Sequence, residues 1–226
     1  FIFSEGRLVG QDLELEALRL VSADKGLLVW VDLTDPTPEE TKAILEGVFQ
    51  FHPLAIEDCT TPNSLTKVED YEEYLFLEIH GVDYTRTDKF STTELDIFLG
   101  RDFVVTVHRR PMRSVQGTMD RCTKGAATFT RSADRLAHLV LDLLTDNYMP
   151  VVDELHGEIE ELEETVLARS SENLIPNQLA LKSDLSHLRQ TVRPQRDVIN
   201  RLAHGESKTI RATSLPYFRD LRDNLI

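Results

Sequence analysis

The sequence has few cysteines, no long apolar run and no leader-like segment. Its two cysteines, Cys59 and Cys122, lie far apart and form no CxxC pair, so neither a disulfide framework nor a thiolate zinc site is indicated. This cysteine usage favours a reducing, cytosolic setting. No apolar run approaches the roughly 18–20 residues of a membrane span, and no signal peptide is visible.

Basic residues are in the minority. The chain has 25 lysines and arginines against 39 acids, which gives a formal net charge of −14 at pH 7. Binding to nucleic acid needs a basic patch that displaces counterions, so nucleic acid is not an expected partner, and neither is an anionic membrane surface. Inorganic cations or a basic protein fit this charge better.

The common catalytic motifs are missing too. The sequence contains no GxSxG, GxGxxG, GxxxxGK[ST] or HExxH. Its seven histidines are scattered without the spacing of metal ligands, and we expect them at the surface or at helix caps. Paired carboxylates could still serve an enzyme, but no substrate-binding motif accompanies them, so we do not expect an enzyme.

The first part of the chain alternates strand and helix signals. Four runs have the length and residue types of strands: 26–33, 74–84, 94–100 and 102–109. A capping box of Thr37, Pro38 and Glu40 predicts the start of a helix, and residues 52–59 predict a short second one. The pattern predicts a layered α/β domain with a mixed sheet and helices packed on it.

The second part has helical periodicity. Apolar residues recur at steps of three and four from Arg135 to Val166 and again from Leu181 to Leu202, with a turn at 169–177 between them. This predicts two long antiparallel helices, and a third helix opens near Ser214.

We therefore predict three segments. Residues 1–132 form an α/β head, residues 133–212 a helical hairpin packed on the head, and residues 213–226 the start of a further helix.

The two long helices carry opposite charge. Nine acids and no lysine or arginine occupy 139–167, whereas 182–211 holds seven basic residues against three acids. We expect the second helix to offset much of the first through exposed ion pairs, each worth about 0–1 kcal/mol.

Asp142 and Asp146 stand four residues apart on one helix face. Pro150 has no N–H, so it leaves the carbonyl of Asp146 without its usual helical donor. Two carboxylates and a free carbonyl make an oxygen-rich surface of the kind that hard divalent cations choose. A solvated helix face with a proline kink explains the same residues.

Further acids stand at helix ends. Glu57 and Asp58 lie near the C-terminal end of the short helix 52–59, where the helix dipole disfavours negative charge and invites a cation. Loop exposure is the alternative for them. Asp220 and Asp223 share the last helix with Arg219 and Arg222, so ordinary salt bridges are the alternative there.

Seven segments together resemble a known family. In chain order they are "WVDLTDPTPEE", "FQFHPLAIEDC", "KVEDYEEYLFLEIH", "DFVVTVHR", "LVLDLLTDNYMPVVDELHGEIEELEETVL", "LRQTVRPQRDVINRL" and "PYFRDLRDNLI". They resemble the cytosolic N-terminal domain of CorA-type magnesium transporters over nearly the whole chain. The resemblance implies an α/β/α sandwich head, two long antiparallel helices and the start of a stalk helix. The stalk would continue beyond Ile226 into transmembrane helices, and five copies would form a homopentamer on the cytoplasmic face of the inner membrane.

The resemblance also implies regulatory metal sites between protomers. Asp58 of one protomer would face Asp220 of a neighbour, and Glu57, Asp142 and Asp146 match the acids of a second site nearby. Asp223 enters only as a helix neighbour of Asp220. The implied ligand is Mg²⁺, for which other divalent ions could substitute.

The expected function is thus a Mg²⁺-sensing domain that gates a divalent cation channel for magnesium, with cobalt or nickel as further ions. Two alternatives stay open. One is the cytosolic domain of a ZntB-type zinc transporter, and the other is a scaffold whose coiled-coil hairpin binds a partner protein independently of metal.

Overall fold

A seven-stranded mixed sheet lies at the centre of the computed structural model, which describes residues 1–61, 65–82, 92–125, 127–167 and 174–225. Its strands are β1 (Ile2–Ser4), β2 (Arg7–Gly10), β3 (Leu28–Thr34), β4 (Lys67–Asp70), β5 (Tyr74–Val82), β6 (Thr92–Gly100) and β7 (Phe103–His108). They pair in the order β2-β1-β3-β7-β6-β5-β4. Among the strands that the structure describes, only β3 and β7 pair in parallel, and the remaining neighbours are antiparallel.

Helices cover both faces of this sheet. They are α1 (Leu15–Ser22), α2 (Pro38–Thr41), α3 (Pro53–Thr60), α4 (Arg113–Thr123), α5 (Ala133–Asp146), α6 (Tyr148–Leu167), α7 (Leu174–His204) and α8 (Leu215–Asp223), and a π-helical turn at Lys42–Glu46 extends α2. The predicted α/β/α head with a mixed sheet and long helices is confirmed. Among the described helices, none is long and apolar enough to cross a membrane.

Strand β5 separates two cores because successive side chains of a strand point to opposite faces. Leu77 and Ile79 pack in the larger core with α4 to α8, whereas Tyr74 and Phe76 pack in a second core with α3. Every residue of β5 is buried, as expected of a strand covered on both sides. The sheet therefore isolates α3 from the long helices.

The helix starts follow the expected local chemistry. The Thr37 hydroxyl accepts a hydrogen bond from the Glu40 amide at 3.2 Å, and the Glu40 carboxylate accepts one from the Thr37 amide at 2.8 Å. The predicted capping box is confirmed. At α3, Pro53 takes the first helical position, and His52 Nδ1 accepts from the Leu54 amide at 3.2 Å.

The stretch predicted as one long helix is two. Helix α5 ends at Asp146, and α6 begins at Tyr148, two residues before Pro150. The break lets α5 lie on the sheet while α6 pairs with α7. Gln195 of α7 donates a hydrogen bond to the Tyr148 hydroxyl at 2.5 Å, and that hydroxyl donates to the His80 carbonyl at 2.6 Å. A buried polar chain thus ties the hairpin to β5.

The expected neutralisation of α6 by α7 is wrong. In the parts of the two helices that the structure describes, no arginine or lysine of α7 forms an ion pair with an acid of α6. Instead, Glu158 faces Asp184, and partial burial together with Asp184 raises the pKa of Glu158. Most acids of α6 point to solvent, so water and salt rather than α7 screen them.

The histidines also depart from expectation. His80, His108 and His138 are buried rather than exposed. His108 lies 3.2 Å from the Asp32 carboxylate and 2.6 Å from the Arg110 carbonyl, so it is held as a polar link within the core. His52 caps α3 as expected.

Two acids are buried beneath α3. Glu78 of β5 stands directly opposite Asp96 of β6, and the two residues are 0% and 2% exposed. Burial, reinforced by Glu94, raises the pKa of Glu78 to about 7. Burial with Glu94 and Glu78 raises the pKa of Asp96 well above its ordinary value. The pair favours at least one bound proton at neutral pH, because two adjacent buried carboxylates repel each other.

Because Glu78 and Asp96 are buried together, we expect the free energy of unfolding to depend on pH. A carboxyl whose pKa is higher in the folded than in the unfolded protein stabilises the fold fully at pH values below its unfolded pKa. This stabilisation is lost as the pH rises through the folded pKa. In metal-free buffer, Glu78→Gln is expected to raise the free energy of unfolding by about 2–3 kcal/mol at pH 8 and to change it little near pH 4. Urea unfolding across this range measures the difference. The exposed Glu73→Gln is the matched control, and a gain for Glu78→Gln that did not grow with pH would contradict the assignment.

Candidate metal site

Helix α8 is fixed against α5 by a mixed polar and aromatic contact. Phe218 and Leu221 are fully buried in the larger core. His138 of α5 faces the Tyr217 carbonyl at 3.1 Å, so Nε2 carries the proton that is donated to that oxygen. The Arg135 guanidinium lies 3.4 Å from the centre of the Tyr217 ring.

An ion pair anchors the segment that leads into α8. Asp134, at the start of α5, accepts hydrogen bonds from Arg211 Nη2 at 2.9 Å and from Nε at 3.1 Å. Burial opposes ionisation of Asp134, but the hydrogen bonds from Arg211 and Ser132 outweigh it and lower the pKa of that carboxyl. The approach of α8 to α5 is therefore set at the N-terminal end of both helices.

This packing creates the first acidic surface, which we call the α5–α8 face: Asp142, Asp146 and Asp220. Burial raises the pKa of Asp142, His138 opposes the rise, and Asp146 and Asp220 add to it. Asp142 is half-buried, whereas Asp146 and Asp220 are exposed. The structure thus brings together three of the six acids singled out in the sequence.

Asp223 is engaged differently. Its carboxylate accepts hydrogen bonds from Arg222 Nη2 at 2.7 Å and Nε at 2.9 Å. The ordinary salt bridge weighed for this residue is therefore present, and Asp223 offers less free carboxylate than Asp220.

The second acidic surface, the α3 face, is formed by Glu57 and Asp58. Ala55, Ile56 and Cys59 bury the opposite side of α3 against the sheet, which turns Glu57 to solvent. Asp58 is partly buried, and its Oδ2 accepts a hydrogen bond from Lys67 Nζ at 2.5 Å.

Lys67 is a contact of Asp58 that the sequence reasoning missed. It lies in the edge strand β4, and its Nζ is also 3.5 Å from Oε1 of Glu69. Although burial acts against its charge, Asp58 and Glu69 raise the pKa of Lys67 on balance. A metal ion that binds Asp58 must therefore compete with a lysine.

The two acidic faces do not meet within one chain, because the sheet lies between α3 and α5. No three His, Cys, Asp or Glu side chains converge on a point that could hold a metal ion anywhere in the described ranges. A site that joins Asp58 to Asp220 therefore requires two chains, and this pairing stays a prediction.

Comparison with protein families matches residues 25–226 to the family model described as CorA-like Mg²⁺ transporter protein. YfjQ of Bacillus subtilis, whose name marks it as a candidate metal ion transporter, is 32% identical over 197 residues, which are 87% of this chain and 60% of the relative. The cobalt/magnesium transport protein CorA of Thermotoga maritima is 25% identical over 205 residues, 90% of this chain and 58% of the relative. The chain thus spans about three fifths of the length of these curated relatives.

Two solved structures share the fold. The soluble domain of CorA from Methanocaldococcus jannaschii superposes with a TM-score of 0.80 at 19% identity, covering 100% of this chain and 88% of that one. The cytoplasmic domain of ZntB from Vibrio parahaemolyticus gives a TM-score of 0.72 at 15% identity, covering 87% of this chain and 77% of that one. Since the family model matches most of its length, the chain belongs to the family of CorA-like Mg²⁺ transporter proteins.

Proposed function

We propose that the chain is the cytosolic, Mg²⁺-sensing part of a divalent cation transporter, and that ions held between neighbouring copies regulate the pore. The division of the acids between two faces carries this proposal. One face of each chain offers Asp58, and the other offers Asp220 with Asp142 and Asp146, so a head-to-tail ring would bring unlike faces together at every interface. A homopentamer is the assembly that we propose.

Electrostatics supports regulation by a cation. Each chain has a formal charge of −14, so copies placed around one axis repel each other unless counterions gather between them. Ions bound between the faces would offset this repulsion where it is strongest. Loss of the ions would let the subunits move apart, which links ion concentration to the state of the pore.

The contact between Asp58 and Lys67 would lower the affinity of Asp58 for a divalent ion. A divalent ion at Asp58 must displace or share the lysine, which reduces the net gain from binding. Mg²⁺ also keeps several of its waters and takes only one or two carboxylates directly. Both features favour weak, millimolar binding, which suits a sensor of cellular magnesium.

Zinc transport is the second candidate function, and the similarity to the ZntB domain favours it. Zinc prefers nitrogen and sulfur ligands. The described α3 and α5–α8 faces present carboxylates, while Cys59 is buried beneath α3 and the donor nitrogen of His138 is engaged by Tyr217. The side chains therefore favour magnesium over zinc.

The first test is the thermal midpoint of unfolding across Mg²⁺ concentrations, with NaCl of matched ionic strength as reference. A site with a dissociation constant near 1 mM adds about 1.4 kcal/mol at roughly 10 mM ion. For a chain of this size we expect a rise of about 3–6 °C. Asp58→Ala with Asp220→Ala should reduce this rise, and Asp153→Ala with Glu163→Ala, on the solvated side of α6, should leave it unchanged. An equal rise in both variants would contradict the assignment.

The second test asks whether Asp58 and Asp220 meet across chains. A chain carrying Asp58→Cys is mixed with a chain carrying Asp220→Cys and oxidised. Each chain carries only one of the two new cysteines, and a disulfide needs Cα atoms within about 7 Å. A bond between them therefore requires that the two positions meet across chains. We expect a cross-linked pair of chains on non-reducing gels. Asp58→Cys mixed with Glu163→Cys is the control, and equal yields from the two mixtures would contradict the interface.

A further inference from the structure

A two-by-two array of ionisable side chains lies on the sheet beneath α3. Glu78 stands opposite Asp96, and His80 stands opposite Glu94, on the antiparallel pair β5 and β6. His80 Nε2 and the Glu94 carboxylate are 3.9 Å apart, and His80 Nδ1 is 3.2 Å from the Thr66 hydroxyl. These four residues face the same side of the sheet as Phe76 and Phe98.

The carboxyl groups at the centre of this array are incompletely satisfied. Both oxygens of Glu78 and Oδ1 of Asp96 are buried without a hydrogen-bond partner among the described residues. The Cys59 thiol of α3 and the Arg109 guanidinium lie near Asp96, and both lower its pKa in opposition to burial. Buried carboxylate oxygens without hydrogen-bond partners destabilise the folded protein, so a bound proton or cation would stabilise this arrangement.

A cavity of about 460 Å³ opens beside the array. Asp96 and Glu94 line it together with His108, Arg109, Pro38 and Thr60. It lies where the parallel strands β3 and β7 end, and α/β proteins generally bind ligands outside the carboxyl ends of parallel strands. Since one water occupies about 30 Å³ of liquid volume, the cavity can admit a hydrated ion as far as Asp96.

We propose that this array is a divalent-cation site within a single chain, with Asp96 and Glu78 as the carboxylate ligands and water from the cavity completing the coordination. Hard ions such as Mg²⁺ bind in this way, through one or two carboxylates and several retained waters. The site is separate from the α3 and α5–α8 faces and needs no second chain.

The surroundings select a hard ion over a soft one. Both proposed ligands are carboxylates, whose oxygens suit hard ions such as Mg²⁺, whereas soft metals prefer thiolate and thioether sulfur. The Arg109 guanidinium at the cavity wall donates to the Thr60 carbonyl, which holds its charge beside the cavity. That neighbouring charge weakens cation binding, so we expect a dissociation constant in the millimolar rather than the micromolar range.

The test counts bound Mn²⁺ per chain by equilibrium dialysis and electron paramagnetic resonance at pH 8, with Mn²⁺ as a visible substitute for Mg²⁺. The background variant Asp58→Asn with Asp220→Asn removes the inter-chain candidates. We expect it to keep one ion per chain that excess Mg²⁺ displaces. Adding Glu78→Gln and Asp96→Asn should eliminate this ion. Adding Glu72→Gln and Glu73→Gln, two exposed acids of the turn before β5, should leave it bound.

The amide substitutions match the protonated acids in shape, so the variants should fold, and circular dichroism checks this. One ion retained after Glu78→Gln and Asp96→Asn would overturn the proposal, as would its absence from the background variant. Either result is distinct from failure of the proposed function, which the Asp58 and Asp220 substitutions test in an otherwise native chain.

Discussion

Burial of the central sheet on both faces is the constraint on which the other features depend. Because side chains alternate along β5 and β6, one face carries Leu77, Ile79 and their neighbours towards the long helices, and the other carries aromatic residues towards α3. The same alternation puts α3 and α8 on opposite sides of the molecule. Within the described residues, each chain then has two unlike acidic faces and no complete metal site between them, and this arrangement supports the proposal that ions are held between copies.

The sheet also explains why charge is buried. Glu78, Glu94 and Asp96 follow the strand alternation onto the α3 side, where Tyr74, Phe76 and Phe98 fill the core at one end and the cavity opens at the other. A strand built only for packing would place apolar residues at these positions. Carboxyl groups at this depth lower the stability of the ionised protein, and such a cost is common at functional sites.

Much of the fold could be predicted from the sequence, because the central strands and long helices have strong periodic patterns. The strands β3, β5, β6 and β7, the capped start of α2 and the short helix α3 were predicted near their observed positions. The edge strands β2 and β4 were not, since runs of four residues give little periodic signal. The break at Asn147 was missed because the apolar stripe continues across it, although Pro150 was recognised as a disturbance.

The residues of the candidate sites, too, could be predicted from the sequence only in part. Acids at helix ends are visible in a sequence, and Asp142, Asp146 and Asp220 do share one surface. Partners that come from distant strands are not visible, so Lys67 beside Asp58 was missed. Strand alternation would have placed Glu78 on the same side of β5 as Phe76, and this signal was overlooked. Charge matching between α6 and α7 failed because helical spacing alone does not say which side chains meet across a hairpin.

The most direct test of the central claim, that ions are held between copies of this chain, is sedimentation velocity of the 226-residue protein in Mg²⁺ and in NaCl of matched ionic strength. The account predicts a larger species in about 10 mM Mg²⁺, which reverts on chelation and is absent in the Asp58→Ala with Asp220→Ala variant. Sedimentation that was the same in both salts and in the variant would contradict it.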